Sequence, residues 1–522
     1  METNSVFQLL PIEIRQEIFK NLNRASLFKC LFVDRQWCRE IVPILWEKPL
    51  SVPTQKDGVY YPLASQRKIL SVKFTKIINV YVSLFSNEIW QSLHKNKISR
   101  PRTARTPTFN YVSYLRHYEP YTVSVAAGVW LKQKLITPTD KQLQKRNVLT
   151  EALCNLFLTE AKALKSFYYN LSEDVDIFSL ISRGCPPSLI FNNLKELRIS
   201  EITNEIELQN FFESFTNICH SIRGITLDVD PAVRYSQKII EISDGDKFKN
   251  VMKTQNGLEW LELRFLSLLS VTAIRSIIGG LQYSSRTFRA ISFYKINFYT
   301  FPMIEGLSSC VNLFCLDFRE CNGFDQSWNK TAKHFTKLGF LAIEGPFYEA
   351  PISFIEQVIE TSGDNLQFLL IQDIHTFPKR QFMITKLLPS ILMHCHNLRA
   401  ISLGKLNSEQ LFSIKESCPN LEHIDFYMPK FNETMTSSGP LLPQINSLTI
   451  YSDSYYDLYT KLEAMEAICG YIKCISLFVF NDYSSHLESR IESYGINITK
   501  KTFHDSKDLS KILSEILNEL IP

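Results

Sequence analysis

A six-residue pattern that recurs along most of the chain constrains the fold more than any other feature. The pattern is apolar-x-x-apolar-x-apolar, and we number its first apolar residue as template position 1. From Leu164 to Ile472 is 308 residues over eleven intervals, a mean period of 28. The copies begin at Leu164, Leu194, Ile222, Leu258, Phe288, Leu313, Leu338, Leu366, Leu398, Leu421, Ile445 and Ile472.

Each copy predicts a short strand, because the apolar residues at template positions 4 and 6 alternate with outward-facing residues. The rest of each period is long enough for one helix and its two connections. The segment SVTAIRSIIGGL shows this, with apolar residues at helical spacing and a Gly279-Gly280 stop. One strand and one helix per period predicts a solenoid with a parallel β-sheet.

Composition is that of a folded chain, and the length predicts two or three domains or one repetitive domain with an appendage. The chain has 522 residues, 45% hydrophobic and 21% charged, with a formal net charge of only +4. That charge does not indicate a nucleic-acid-binding protein as a whole. No secretory signal is visible, and the most apolar run is interrupted by Arg264 and Arg275, so we expect no membrane span. We therefore expect a cytoplasmic or nuclear protein with reduced cysteines.

Five cysteines stand three places before template position 1, in a single register: Cys219, Cys310, Cys395, Cys418 and Cys469. Metal ligation is the competing interpretation, but no C-x-x-C occurs and the triplet His394-Cys395-His396 has no second ligand pair at finger spacing. A repeat position forms a column in a solenoid, where small thiols pack well. We predict that these cysteines are structural and that no metal or cofactor is bound.

The pattern and its cysteines resemble the cysteine-containing leucine-rich repeats found in many F-box proteins. The resemblance implies a mixed α/β, right-handed leucine-rich-repeat solenoid whose concave side is the parallel sheet. Family members usually carry Asn or Cys three places beyond the strand. Cys321 fits, whereas apolar residues stand at the corresponding positions Ile202, Leu266, Ile296, Ile374 and Leu406.

Residues 6–46 follow a different pattern, which predicts three short helices. Pro11 suits the first turn of a helix, and Ile14, Ile18 and Leu22 then form an i, i+4, i+8 stripe that predicts a small shared core. The segment SLFKCLFV follows as a second helix. Asp34 is the predicted N-cap of a third, which places Trp37, Ile41, Ile44 and Leu45 on one side.

The order of these residues is similar to an F-box, from Leu10-Pro11-x-Glu13-Ile14 through Trp37 to Leu45-Trp46. The family uses this module to bind a Skp-type adaptor and, through it, cullin and RING subunits. The resemblance implies that Leu10, Pro11 and Ile14 meet the adaptor. Leu27, Cys30 and Trp37 would then lie behind them or at the edge of the interface. The alternative is a helical cap on the end of the solenoid.

The pattern divides the chain into four segments. Residues 1–46 are the predicted F-box and residues 164–502 the repeats, while residues 503–522 are predicted to form a C-terminal capping helix. Residues 47–163 contain a linker and divergent early repeats, with a basic run at 94–107 that has no acidic residue. That run fits a nuclear-import signal, a phosphate-contacting arm or a solvated loop.

Side chains at template positions 3, 5 and 7 point to one side of the predicted sheet, which we call the 3-5-7 face. We predict that a protein substrate binds there, since Trp, Tyr and Arg dominate binding hot spots. The alternative is that these rings are covered by other parts of the chain. The candidate substrate-binding residues are Trp260, Arg264, Tyr294, Arg319, Phe340 and Phe368, and their neighbours on this face are Glu262, Ser292, Asp317, Glu344, Leu370, His423, Asp425, Tyr427 and Tyr451.

Catalytic motifs are absent from the sequence, which contains no P-loop, no G-x-S-x-G and no H-E-x-x-H. In the family, ubiquitin transfer belongs to partner subunits. The resemblance therefore implies a non-catalytic substrate receptor of an SCF-type ubiquitin ligase. Two alternatives stay open: an F-box and repeat scaffold that works without the ligase, and an enzyme with a degenerate motif.

Overall fold

The protein is described from a computed structural model, in which the chain forms two compact units. The first comprises Met1–Ile240 with Thr254–Leu258, and the second comprises Glu241–Lys253 with Glu259–Pro522. The residues that the structure describes are 10–50, 64–101, 107–132, 139–170, 191–200, 211–213, 215–228, 246–264, 271–298, 305–345, 351–372, 381–406, 408–427, 447–452, 474–479 and 497–498.

The first unit begins with three short helices. They are α1 (Ile12–Lys20), α2 (Arg24–Cys30) and α3 (Arg35–Trp46). As predicted, Asp34 caps α3, because its carboxylate accepts from the Trp37 amide at 2.7 Å. Asn23 caps α2 in the same way through the amide of Ser26. The second and third helices of the N-terminal module are therefore separately capped, whereas α1 begins after Pro11 without a side-chain cap.

The core of this module is built from a different face of α1 than the sequence predicts. Phe19, Leu27 and Ile41 are buried together, with Leu22 packed beside them. By contrast, Ile14 is 50% exposed and Ile18 is 39% exposed. The prediction that these two isoleucines build the core is therefore wrong.

Among the residues that the structure describes, four further α-helices follow the module before Ser166. They are α4 (Ala64–Val82), α5 (Asn87–Lys95), α6 (Pro120–Trp130) and α7 (Asp140–Glu160). A short 3-10 turn, Tyr111–Tyr114, precedes the first strand. A capping box formed by Thr139 and Gln142 starts α7.

The strands of the first unit are parallel and follow chain order. They are β1 (His117–Tyr118), β2 (Ser166–Asn170), β3 (Glu196–Ser200) and β4 (Gly224–Asp228). The run of strands thus begins before Leu164, at the residues LRHY that start with Leu115.

The second unit repeats the same strand and helix alternation. Its parallel strands are β5 (Trp260–Arg264), β6 (Ala290–Tyr294), β7 (Cys315–Arg319), β8 (Phe340–Glu344), β9 (Phe368–Gln372), β10 (Ala400–Lys405), β11 (His423–Tyr427), β12 (Ser447–Ser452), β13 (Cys474–Val479) and β14 (Asn497–Ile498). Its helices are α8 (Asp246–Thr254), α9 (Val271–Gly280), α10 (Glu305–Ser308), α11 (Gln326–Ala332), α12 (Ile352–Ser362), α13 (Gln381–His394) and α14 (Ser408–Ser417). A 3-10 turn, Leu281–Ser284, follows α9.

This alternation confirms the predicted fold class, a mixed α/β leucine-rich-repeat solenoid. Template positions 1, 4 and 6 form the interior, as Leu258, Leu261 and Leu263 show with at most 1% exposure. Aromatic rings fill the space between strands and helices. The Phe318 ring lies 5.4 Å from Phe293 and 5.3 Å from Trp328 in α11. Ring pairs at these separations contribute to stability in addition to the free energy gained by burying their apolar area.

An asparagine ladder crosses the second unit at the residue just before template position 1. The Asn312 amide donates to the Arg286 carbonyl, Asn365 to Thr336, and Asn397 to Asp364, each at 2.8 Å. Each bond satisfies a carbonyl of the preceding repeat. The position three places beyond the predicted strand, where the family usually carries Asn or Cys, does not form this ladder. It is apolar and buried, with Ile296, Cys321 and Leu406 each 2% exposed.

Within the part of the chain that the structure describes, no helix is long and apolar enough to cross a bilayer. The predicted capping helix at 503–522 lies outside the described residues. So do Cys469, Ile202, Leu266 and Ile374.

Candidate interaction surfaces

The N-terminal module presents an apolar stripe on α1, formed by Ile14 and Ile18. These two residues are one helical turn apart and are 50% and 39% exposed. The neighbouring face of the helix buries Arg15 and Phe19. Isolated exposed aliphatic residues are ordinary, but two adjacent ones on one face of a short helix form a patch of the kind that marks protein contacts.

A second apolar cluster lies on and after α2. Phe28 and Phe32 are 58% and 75% exposed, and their rings make an edge-to-face contact at 5.4 Å. Val33 beside them is 58% exposed. Burial of these side chains is favourable only against a partner, since the core of the module is already filled by Phe19 and Leu27.

A buried ion pair explains why α1 turns its isoleucines outward. The Arg15 guanidinium donates two hydrogen bonds to the Glu40 carboxylate of α3, from Nε at 3.0 Å and from Nη2 at 2.6 Å. Its Nη1 also donates to the Leu10 carbonyl at 2.7 Å, and Gln36 adds a bond to Glu40. The hydrogen bonds that Arg15 donates to Glu40, together with the negative charge of Glu40, raise the pKa of Arg15. Arg15 thus holds the backbone of Leu10, at the start of α1, against α3.

The predicted adaptor-binding residues divide into an outer and an inner group. Pro11 and Ile14 are exposed and Leu10 is half-buried. Leu27 is buried in the core of the module, while Cys30 and Trp37 pack against that core. The structure therefore brings the first three to the surface and places the other three behind them.

The end of α3 is joined directly to the sheet of the first unit. The Glu47 carbonyl accepts hydrogen bonds from the amides of Arg116 and His117, at 3.0 and 3.1 Å. The Trp46 ring packs 4.2 Å from Tyr111 and 5.6 Å from Tyr81. The N-terminal module is consequently anchored to β1 by hydrogen bonds and ring packing.

The 3-5-7 face of the second unit is apolar along template position 3. Register places Trp260, Ala290, Cys315, Phe340 and Phe368 side by side on β5 to β9. The last four are buried in one cluster, against which Trp260, Phe314 and Leu370 pack with part of their surface exposed. The cluster is a small apolar core on the side of the sheet that faces away from the helices.

This packing corrects the expected exposure of two predicted substrate-binding rings. Phe340 has 0% of its surface exposed and Phe368 only 9%. Their rings lie 5.8 Å apart. Both rings belong to the apolar cluster, in which Phe340 packs with Cys315, Ala342 and Phe368. Trp260 stays half-buried at the margin of this cluster.

Template positions 5 and 7 are both charged on β5 and β7, as Glu262 with Arg264 and Asp317 with Arg319. Asp317, only 1% exposed, binds the Arg319 guanidinium at 2.9 Å and accepts from the Ser292 hydroxyl at 2.8 Å. Burial is the largest single influence on the pKa of Arg319 and lowers it. Asp317, with Glu344 and Glu262, nevertheless raises that pKa above its ordinary value. Arg319 is therefore a protonated side chain held in place by Asp317, whose carboxylate has hydrogen-bond partners in both Arg319 and Ser292.

Arg264 and Tyr294 lie next to this pair on β5 and β6. Arg264 binds Glu262 of its own strand at 2.6 Å, and its guanidinium lies 5.8 Å from the centre of the Tyr294 ring. The Tyr294 hydroxyl donates to Glu320 at 3.0 Å. The structure thus brings Arg264, Tyr294 and Arg319 together, with the apolar cluster toward the start of the strands.

The strands of this region end in left-handed turns. The residue after template position 7 has positive φ in three successive repeats, at 53° in Lys295, 50° in Glu320 and 147° in Gly345. Lys295 and Glu320 form an ion pair at 3.2 Å. Non-glycine residues seldom adopt this conformation, so neighbouring contacts must hold it in place.

The predicted cysteine column is buried where it is described. Cys219, Cys310, Cys395 and Cys418 are each 0% exposed. Burial raises the pKa of Cys310 and Cys395 to about 12 and that of Cys418 to about 11. The Cys418 thiol donates to the Cys395 carbonyl at 3.1 Å. Among the described residues, no group of three or more His, Cys, Asp or Glu is placed to hold a metal ion.

Some predicted residues lie outside what the structure describes. Arg102 and Arg105 of the basic run belong to this group, as do the side chains of Asp425, Tyr427 and Tyr451. The described part of the basic run contains Arg100, whose guanidinium lies 5.9 Å from the centre of the Trp90 ring.

Comparison with known proteins gives no family assignment. No protein-family model matches the chain, and no curated protein matches it. Among solved structures, a yeast complex of Rad7 and Elc1 aligns at 11% identity and a TM-score of 0.34, covering 60% of this chain and 82% of the other. A Bacteroides fragilis protein aligns at 13% identity and a TM-score of 0.25, covering 67% and 76%. Similarity this low supports no argument about function.

Proposed function

We propose that this protein is the substrate receptor of a ubiquitin ligase of the Skp–cullin–F-box type. In this proposal the N-terminal module binds a Skp-type adaptor, and the repeats hold a protein substrate. The chain supplies proximity, and the transfer chemistry belongs to its partners. The order of residues from Leu10 to Trp46, which is similar to an F-box, is one support for the proposal.

The exposed stripe of α1 is the single observation that carries it. Ile14 and Ile18 occupy positions where an isolated domain would place polar residues, and both are at least 39% exposed. Full burial of an isoleucine contributes about 1.5 to 3 kcal/mol. Covering the exposed half of each would therefore contribute about 2 kcal/mol in total. That is a useful share of the free energy of a micromolar complex.

The 3-5-7 face supports the second half of the proposal. Trp260 and Leu370 border the buried apolar cluster, and Arg264 and Arg319 lie farther along the same strands. A partly exposed apolar surface next to fixed charges is the usual composition of a binding hot spot. Phe340 and Phe368 would support this surface from beneath.

Co-elution with a purified Skp-type adaptor tests the adaptor half. The full chain should co-elute with the adaptor in size-exclusion chromatography, and a Leu10→Ala/Pro11→Ala variant should elute separately. The exposed variant Val72→Ala on α4 is the control and should co-elute normally. Adaptor retained by the double variant would argue against the assigned interface.

A pull-down from cells distinguishes a ligase receptor from a ligase-independent scaffold. Cullin and RING subunits should accompany the adaptor if the chain is a receptor, whereas a scaffold would bring down the adaptor alone. The Trp260→Ala and Arg319→Ala variants should keep the adaptor and lose substrate proteins. An unchanged substrate profile in both variants would remove the 3-5-7 face from consideration.

A further inference from the structure

Successive strands of the first unit are preceded by a basic residue at template position 2. These residues are Arg116, Lys165, Lys195 and Arg223. The next residue of each strand pairs across the sheet, in the series His117, Ser166, Glu196 and Gly224. The four basic residues therefore stand in line. Parallel strands lie about 4.8 Å apart, so the row is about 14 Å long. We call it the basic edge.

The backbone of the basic edge is fixed by hydrogen bonds. The Arg116 carbonyl accepts from the amides of Lys165 and Ser166, at 2.7 and 3.1 Å. The Lys165 and Lys195 carbonyls each accept in the same way from the next strand. This leaves side chains, rather than backbone groups, as the means of contacting a partner.

The side chains along this row carry more positive than negative charge. Lys165, Lys195 and Arg223 are exposed, while Arg116 is half-buried with its guanidinium on the Ser113 and Leu115 carbonyls. Among the described residues, Glu196 follows Lys195 directly, and Glu47 pairs with Lys165 at 3.5 Å on the surface. Lys48 is a further exposed cation, within electrostatic range of Glu196 and of the half-buried Glu119. Five basic groups named here therefore accompany three acidic ones.

The second unit shows that template position 2 is not basic by requirement of the fold. Its residues at this position are Glu259, Arg289, Phe314, Gly339, Gln367, Arg399, Glu422, Asn446 and Lys473, with no two basic ones on neighbouring strands. A like-charged row is mildly unfavourable on its own, because neighbouring cations repel one another. Its restriction to four adjacent strands points to a ligand of opposite charge.

We propose that the basic edge binds an extended acidic segment of a partner polypeptide, whose carboxylates or phosphoserines face the row. Alternate side chains of an extended chain repeat about every 6.8 Å. Two or three acidic residues would therefore span the row. The site goes beyond the adaptor and substrate surfaces proposed above and does not depend on either.

The features of the edge favour a peptide over nucleic acid. Proteins that hold duplex DNA through its backbone neutralise about 6 to 10 phosphates, more than a row about 14 Å long can reach. Single-stranded nucleic acid is usually held on aromatic platforms. Template positions 1 to 3 of these four strands contain no Phe, Tyr or Trp. The interspersed Glu47 and Glu196 also disfavour a continuous phosphate chain.

Fluorescence anisotropy with the full chain tests the proposal. The probes are a labelled peptide of alternating Glu and Ser, the same peptide with its serines phosphorylated, a Lys and Ser peptide, and oligo-deoxythymidine. We expect both acidic peptides to bind, the phosphorylated one more tightly, and the Lys peptide not to bind. Affinity should fall steeply between about 0.05 M and about 1 M salt, where charge screening shortens to about 3 Å.

Variants at one template position provide matched controls. Lys195→Glu should lower the affinity for the acidic peptides roughly fivefold to tenfold. Lys195→Gln changes the charge by half as much and should lower the affinity by roughly the square root of that factor. Arg289→Glu is the same kind of change at an exposed template position 2 in the second unit, and it should leave affinity unchanged. Circular dichroism confirms that each variant is folded.

Three results would overturn the proposal. These are unchanged affinity in Lys195→Glu, equal losses in Lys195→Glu and Arg289→Glu, or oligo-deoxythymidine binding that is tighter than the phosphopeptide and equally sensitive to Lys195→Glu. Adaptor co-elution of Lys195→Glu should stay normal. Failure at the basic edge and failure of the adaptor proposal are thus measured separately.

Discussion

Gly345 gives the sharpest test of how successive repeats stack. It follows β8, adopts φ of +147° and lies against the turn that follows β7. A Cβ added to Gly345 would stand 2.7 Å from Glu320 Cα and 2.9 Å from Glu320 N. Both of these are backbone atoms, so no side-chain rotation relieves the contact. We predict that Gly345→Ala destabilises the second unit.

The expected loss has two parts. A φ near +147° is essentially restricted to glycine, and a non-glycine residue held there costs about 1 to 3 kcal/mol. Non-bonded carbon atoms prefer a separation of about 3.5 to 4.0 Å, so the Cβ overlaps its neighbour by about 1 Å. Displacing the turn after β7 adds a cost of similar size to other overpacking, about 1 to 3 kcal/mol. We therefore expect a loss of about 3 kcal/mol or more.

Gly279→Ala in α9 is the matched control. A Cβ at Gly279 meets no heavy atom within 4 Å, and alanine is about 0.5 to 1 kcal/mol better than glycine in a helix. In urea unfolding followed by circular dichroism, the midpoint urea concentration should fall for Gly345→Ala and rise slightly for Gly279→Ala. Equal midpoints for Gly345→Ala and the parent protein would refute the reasoning.

Three further outcomes follow from the buried polar groups. Arg15→Met should weaken adaptor binding, and adding Leu10→Ala should cause little further loss, because Arg15 acts through the Leu10 carbonyl; additive losses in the double-mutant cycle would contradict this. Burial lowers the pKa of His117 to about 4, so the folded state rejects a proton that the unfolded state binds below about pH 6.5. Stability should thus be full above that pH and fall by no more than about 3 kcal/mol toward pH 4, and His117→Gln should flatten this slope in urea unfolding. Iodoacetamide at pH 8 should modify half-buried Cys30 at least tenfold faster than Cys310, whose pKa burial raises to about 12; peptide mapping showing equal rates would contradict the burial.

Strand positions could be predicted from the sequence because they depend on a local pattern. Leu261 and Leu263 alternate with Trp260, Glu262 and Arg264, and the structure places the first pair inside. The cysteine column could be predicted for the same reason, since a repeat period fixes which residues share a column.

The outward rotation of α1 could not be predicted from its apolar pattern. Ile14 and Ile18 match the helical period as well as Phe19 and Leu22 do, and hydrophobicity alone does not choose between the two faces. The choice follows from Arg15 and Glu40, which are 25 residues apart. Burial of both requires that they meet, and this turns the isoleucines to the surface.

The burial of rings on the 3-5-7 face could not be predicted from single strands, because it depends on which residues lie side by side on neighbouring strands. Phe340 has the same template position as Trp260, yet only Phe340 is completely covered. Its neighbours across the sheet are Cys315 and Phe368, with Ala342 farther along its own strand. Such coverage depends on register and on the size of adjacent side chains. Alternation within one strand does not contain this information.

Periodic asparagines can be read from the sequence, but they directly precede template position 1 instead of standing three places beyond the strand, where the family usually carries them. Asn312 and Asn397 each follow a Cys-x pair and precede template position 1. Their side chains reach the preceding repeat and satisfy its carbonyls. The residues Asn193, Asn365 and Asn420 occupy the same place in other repeats. A periodic polar residue beside a buried column is therefore a usable signal of cross-repeat hydrogen bonding.

The affinity of a Skp-type adaptor for α1 variants tests the central claim most directly. Ile18→Asp changes an exposed isoleucine of the stripe, and Val72→Asp makes the same chemical change at a 52% exposed valine on α4. Calorimetric titration should show that Ile18→Asp weakens adaptor binding at least about tenfold, while Val72→Asp binds as the parent does. Both should unfold at the parent midpoint, since neither side chain is in a core. Equal adaptor affinity for Ile18→Asp and the parent would contradict the account.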